Sequence, residues 1–166
     1  MKLSILRRSL PLVLGATLVA GMSHVSMAQT VKIGSLSAVT GPIANLVPPI
    51  IEAEQLAVKQ VNDAGGILGG RKLELVVGDT QCNAQASVDA AGKLVNVEQV
   101  VAIVGALCSG ATIGAASNVA VPASVVMVSP ASTSPEITGL EDKDLVFRTA
   151  PSDAYQGVVL AKYVMS

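Results

Sequence analysis

Apolar residues along this chain alternate between short continuous runs and stripes spaced by three and four, repeated with Gly- or Pro-bearing breaks between them. The run at residues 31–35 predicts a first strand, and residues 42–49 form a loop. A helix follows over about 50–64, with Ile50, Ala53, Ala57, Val58 and Val61 on one face and Glu52, Lys59 and Asn62 on the other. Gly65-Gly66 stops it, and Gly69-Gly70 turns into a second strand at 72–78. A second helix starts at Asn83 or Ala84, with Ala84, Val88, Ala91 and Val95 on one stripe. Residues 100–105 predict the third strand, 109 to about 120 the third helix, and 125–128 a fourth strand ended by Ser129-Pro130. A fifth strand is expected at 145–149, and a last helix opens at Asp153 and runs to Ser166.

Strand and helix therefore alternate, which predicts right-handed βαβ units in an α/β fold with a doubly wound, mostly parallel sheet. The high apolar content, much of it Val and Ala, suits strands covered by helices on both faces. Ligands of such sheets bind beyond the carboxyl ends of the strands, where strand order reverses. The loops after Ser35, Gly105 and Val128 are expected to open onto that one edge. The chain has neither an internal repeat nor a low-complexity segment.

The first 28 residues read as an address. Lys2, Arg7 and Arg8 precede an apolar stretch from Leu10 to Met22, and Ser26-Met27-Ala28 is a small-residue cleavage site. Cleavage after Ala28 removes three of the 11 basic residues and leaves 8 against 12 acidic, a formal net charge of −4. Mild acidity with scattered charge does not fit nucleic-acid binding, which requires a basic stripe. Phe147, Tyr155 and Tyr163 are the chain's aromatic residues, too few for a base-stacking platform.

Residues 101–112 carry the most specific chemistry. A strand runs into a small-residue turn, and a helix opens at Ser109, where backbone N–H groups and the helix dipole favour an anion. Gly105, Gly110 and Thr112 keep the register of the phosphate loop G-x-x-x-x-G-K-[ST], but Ala111 stands in place of the lysine. A triphosphate would go poorly neutralised there, whereas one carboxylate needs only N–H donors and a hydroxyl. The alternative is an ordinary strand-to-helix turn with a Ser cap. Two cysteines remain after export, Cys82 and Cys108, which fit either one disulfide or two buried thiols. His24, the single histidine, leaves with the leader, so neither a metal site nor a general base for Ser109 as nucleophile is provided. The chain is not expected to be an enzyme or to hold a cofactor.

A set of local motifs follows in order along the chain: Ser37-Ala38-Val39-Thr40-Gly41-Pro42, Asn62-Asp63-Ala64-Gly65-Gly66-Ile67, Asp79-Thr80-Gln81-Cys82, Leu107-Cys108-Ser109-Gly110, Ser129-Pro130-Ala131-Ser132-Thr133-Ser134-Pro135-Glu136 and Phe147-Arg148-Thr149. In that order and spacing the chain resembles the periplasmic binding proteins for leucine, isoleucine and valine, and their relatives for other amino acids and amides, which deliver solute to ABC importers. The likeness covers the chain from Val31 onward. It implies the type I periplasmic-binding fold, two α/β lobes closing on a ligand, of which residues 29–166 would form the amino-terminal lobe without the second.

The same resemblance implies a disulfide between Cys82 and Cys108. It maps a carboxylate-binding serine onto Ser109 and contacts to both ends of an amino acid onto Ala131 and Thr133, with Ser132 between them in the ligand-binding set. Donors at Ser109 suit a carboxylate, while the Ala131 carbonyl and the Thr133 hydroxyl can accept from an ammonium group. Asp153 is a weaker candidate for the ammonium, because Asp153 and Gln156 are also spaced as a helix-capping pair. Arg148 reads as a framework residue, and Tyr155 as a candidate for lining the site. The loop from Gly41 to Pro49 is apolar and proline-rich where branched-chain binders usually carry a glycine and an aromatic. A single lobe would hold a solvent-open half-site and bind weakly. The expected function is the periplasmic solute-binding component of an ABC importer for branched-chain or other hydrophobic amino acids, impaired by truncation, a monomer working with permease membrane subunits. An amide or amino-acid sensor of the same fold, or a non-functional remnant, are the alternatives.

Overall fold

A computed structural model describes residues 30–166, so the leader expected at residues 1–28 lies outside the described residues. Five strands form one all-parallel sheet: β1 (Val31–Ser37), β2 (Leu73–Asp79), β3 (Ala102–Gly105), β4 (Val126–Ser129) and β5 (Val146–Arg148). Their spatial order is β2-β1-β3-β4-β5. The chain winds outward from β1 to β2, crosses back over β1, and then winds the other way. The switch point thus falls between β1 and β3, the doubly wound arrangement that the alternating pattern predicts. The helices are α1 (Pro48–Asp63), α2 (Ala84–Asn96), α3 (Ser109–Ala115) and α4 (Asp153–Val164).

Local chemistry sets the boundaries. Tandem prolines start α1 two residues earlier than its apolar stripe implied, because a proline at the first helical positions lacks an N–H that would go unbonded anyway. Asn83 caps α2, its side chain accepting from the N–H of Ala86 at 3.1 Å. α3 ends as a regular helix at Ala115 and widens into a π turn over Ala116–Ala120, where the Asn118 amide donates to the Gly114 carbonyl at 2.8 Å. β1 runs two residues past the expected end at Ser35, because Leu36 and Ser37 pair with Gly78 and Asp79.

The larger part of the core lies on one side of the sheet, and a smaller cluster of Ala38, Val47 and Leu107 packs against Ile50 and Ile51 at the start of α1. Leu36, Leu94, Ile103, Met127, Ala111 and Ala115 pack between the sheet and the α2–α3 pair. Burying each large member stabilises by roughly 1.5–3 kcal/mol. The opposite face has α1 alone. No residue of α1 or α4 is fully buried, so the stripe of Ile50, Ala53, Val58 and Val61 borders an open groove instead of a closed core. The sequence pattern predicts cover on both faces; among the described residues α1 covers the second face only in part. No helix among the described residues is long and apolar enough to cross a membrane.

Candidate functional site

All five strands end at the same edge of the sheet, and the loops that follow them converge there. β1 continues into Ala38-Val39-Thr40, which Asp79 at the end of β2 ties down. Asp79 Oδ1 accepts from the Thr40 N–H at 3.1 Å and from the Gln81 N–H at 3.0 Å, while Oδ2 accepts from the Thr40 hydroxyl at 2.6 Å. Burial pushes the Asp79 carboxyl up, but these hydrogen bonds outweigh it and hold the group below its ordinary value. The loop after β2 is fastened to the loop after β3 by a disulfide between Cys82 and Cys108, with a Cα–Cα distance of 5.4 Å.

The turn after β3 places Ser109 at the first position of α3. The helix cap is Cys108 and not Ser109, and Cys108 offers no side-chain hydrogen bond to the first turn. The Ser109 hydroxyl faces the loop after β4 instead, accepting from the N–H of Thr133 and of Ser134, each at 3.2 Å. Two accepted bonds occupy both lone pairs of that oxygen, so its remaining capacity is to donate a proton. The cap role allowed by the sequence is therefore not the one this serine plays.

Beneath it lies a buried hydroxyl cluster. Thr112 Oγ1 donates to the Ala106 carbonyl at 3.1 Å and shares a 2.7 Å hydrogen bond with Ser132 Oγ. Ser129 Oγ donates to the same carbonyl at 2.6 Å and accepts from the Ser132 N–H at 3.0 Å. Thr112, which holds the hydroxyl position of the phosphate-loop pattern, is thus turned inward. Ser132 is fully buried in this cluster, so its side chain faces the framework while its neighbours Ala131 and Thr133 reach the edge. Arg148 straps the loop from below, donating to the carbonyl of Ser134 at 2.8 Å and to Thr138 Oγ1 at 2.6 Å, a framework role.

Thr133 is the junction of the site. Its N–H meets Ser109, its hydroxyl donates to Asp153 Oδ2 at 2.9 Å, and its carbonyl accepts the Asp153 N–H at 2.9 Å. The cap of α4 is Ser152, whose side chain accepts from the Ala154 N–H at 3.3 Å, so the Asp153–Gln156 capping pair does not form. Ser109, Thr133 and Asp153 are therefore contiguous: a hydroxyl left to donate, a hydroxyl with lone pairs left to accept, and a carboxylate. Tyr155 stands exposed on α4, away from these bonds. The Asp79 clamp went unread in the sequence because Thr40 and Asp79 lie 39 residues apart. The signal was the β1–β2 register, which pairs Ser37 with Asp79. Among the described residues no group of three or more His, Cys, Asp or Glu could hold a metal ion.

The chain is similar to known proteins. Residues 30–166 match the family described as periplasmic binding protein. The leucine-, isoleucine-, valine-, threonine- and alanine-binding protein of Pseudomonas aeruginosa is 37% identical over 150 residues, which cover 90% of this chain and 39% of that protein. The Leu/Ile/Val/Thr-binding protein of Salmonella typhimurium is 35% identical over 156 residues, covering 91% and 42%. Among solved structures, a substrate-binding protein from Desulfitobacterium hafniense in complex with Leu superposes with a TM-score of 0.71 at 34% identity, covering 82% of this chain and 38% of that one. The branched-chain amino acid transporter protein LivJ of Streptococcus pneumoniae, in complex with isoleucine, gives 0.68 at 32%, covering 75% and 35%. The chain spans about 40% of the length of the curated relatives it matches. None of these relatives is an enzyme, and with a family match from residue 30 to residue 166 the chain belongs to the periplasmic binding proteins.

Proposed function

We propose that this chain forms one wall of a binding site for a zwitterionic amino acid, with branched-chain side chains the leading candidates. The observation that carries the reading is the Ser109 hydroxyl, whose lone pairs are both engaged by backbone N–H groups so that its proton is directed to a carboxylate. Thr133 and Asp153, joined directly to it, offer an oxygen and a carboxylate to the ammonium group. Ala131, exposed at the same edge, adds a carbonyl. The names of the relatives, which specify leucine, isoleucine and valine, support the same ligand class. Residues 1–28 would direct export to the periplasm, where the protein would present solute to membrane permease subunits. The opposite wall would come from the part of the polypeptide that the relatives carry beyond the matched region.

The test is a chimera in which residues 30–166 replace the matching part of the Pseudomonas relative. Calorimetry with leucine, isoleucine and valine should show binding, and Ser109→Ala combined with Thr133→Ala should abolish it. Unchanged affinity in the double variant would remove the assignment.

A further inference from the structure

Two hydrogen-bonded ties join α3 to the loop after β4. One is at the edge, where the Ser109 hydroxyl accepts from the N–H of Thr133 and of Ser134, each at 3.2 Å. The other lies about one helical turn further along α3 and one residue earlier in the loop, where Thr112 Oγ1 and Ser132 Oγ stand 2.7 Å apart. Both of these side chains are fully buried, as is Ser129. Thr112 and Ser132 each lie 3.1 Å from the Ala106 carbonyl oxygen, and Ser129 Oγ lies 2.6 Å from it. Three hydroxyl protons thus meet three acceptor places, the two lone pairs of that carbonyl and one oxygen of the Thr112–Ser132 pair. Every proton is used within the cluster, and none is left to reach a ligand. Losing one of these hydroxyls leaves a buried partner unpaired, which costs more than losing an exposed bond.

A single tie between two segments leaves a pivot, whereas two ties fix distance and rotation together. The segments joined here carry opposite halves of the site, Ser109 on α3 for a carboxylate and Ala131 with Thr133 in the loop for an ammonium group. We propose that Thr112 and Ser132 are positioning residues that set the spacing between these halves. They thereby select an amino acid with both charged groups on one carbon over an amino acid with the two on neighbouring carbons. The inference rests on the amino-acid reading above and names what that site discriminates. A hydrogen bond weakens steeply away from its preferred geometry, so a site held to one spacing must deform to accept the other. The edge tie is poorly suited to this alone, because Ser109 is itself a ligand group and its 3.2 Å bonds are at the long end of the normal range.

Calorimetry on the chimera with L-leucine and with β-leucine (3-amino-4-methylpentanoate) tests the proposal. Leucine should bind the tighter. Ser132→Ala or Thr112→Val should lower the ratio of the two affinities by roughly fivefold, the size of one neutral hydrogen bond. Thr112→Ser restores the hydroxyl and should keep the parent ratio. Ser132→Ala only removes an oxygen from a buried position, so it supplies the result if Thr112→Val unfolds, and circular dichroism checks both. In the unliganded chain, the Thr133 and Ser134 amides should exchange faster in Ser132→Ala, with those of α2 unchanged. Affinities that fall together and leave the ratio in place overturn the spacing role while the site stands, and so does unaltered exchange at Thr133 and Ser134. An unsubstituted chimera that binds neither compound removes the site, and this inference with it.

Discussion

Asp153 donates its backbone N–H to the Thr133 carbonyl at 2.9 Å, and Thr133 returns its hydroxyl to Asp153 Oδ2 at the same distance. This double tie joins the loop after β4 to the first turn of α4 and spends the one proton of the Thr133 hydroxyl. The threonine oxygen is then an acceptor toward the cleft, as an ammonium group requires. Thr133→Val keeps the shape and removes the hydroxyl. In the chimera it is expected to weaken amino-acid binding by roughly tenfold or more, the size of one hydrogen bond to a charged group. Amides in the first turn of α4 should also exchange faster, which hydrogen-exchange mass spectrometry reads without ligand.

The disulfide makes a second, independent prediction. Cys82 and Cys108 are separated by 26 residues, and closing a loop of that length stabilises by about 3.5 kcal/mol in the chain-entropy model. Thiol titration of the denatured, unreduced protein should detect no free cysteine. Reduction, or Cys82→Ser with Cys108→Ser, should lower the melting temperature by on the order of 10 °C. A melting temperature unmoved by reduction would show that the bridge does not restrain the loops.

Most of the fold could be read from local patterns because each βαβ unit announces its own strand, helix and break. The Gly65-Gly66 stop and the apolar run at β3 are signals contained within a few residues. The sequence marks Ser109 as a candidate donor to a carboxylate, but not the bonds that hold its hydroxyl. A serine at a helix start usually caps, and only the long-range approach of Thr133 and Ser134 makes this one an acceptor of two N–H groups. Ser132 shows the converse: it lies between two edge residues in sequence, yet the bend of the loop turns its hydroxyl into the buried cluster with Thr112. The bare face of α1 could not be foreseen, since an amphipathic stripe specifies that something must cover it and not what does.

Gly105 closes β3 at the edge that bears the site, with φ of +118°. A Cβ there would lie 2.4 Å from the Leu36 carbonyl oxygen, so both the backbone angle and the space exclude a side chain. Gly105→Ala should destabilise by about 3 kcal/mol or more, the joint effect of a strained backbone and a backbone clash. Gly92 supplies the control: it sits inside α2, and a Cβ at that position would have nothing within 4 Å. Gly92→Ala should stabilise by roughly 0.5–1 kcal/mol through helix propensity. Urea unfolding of the two variants measures both, and equal effects would contradict the packing described.

Asp79 gives the fold a pH dependence of definite sign. Its carboxylate holds the β1 loop through Thr40 and the following turn through Gln81, bonds that only the ionised form accepts in full. The folded-state value lies below the ordinary 3.8 despite the opposing effect of burial. The unfolded chain therefore takes up this proton first, and stability falls as it does. The contribution of Asp79 is complete above the unfolded value and is lost as pH drops through the lower, folded one. Asp79→Asn keeps the shape but cannot accept on both sides, so it should be less stable than the parent at neutral pH. The gap between their urea midpoints should narrow progressively as pH falls through the ordinary carboxylate value of 3.8 and below it. A gap that holds constant across that range would mean that the loop is fixed by packing and not by the charge on Asp79.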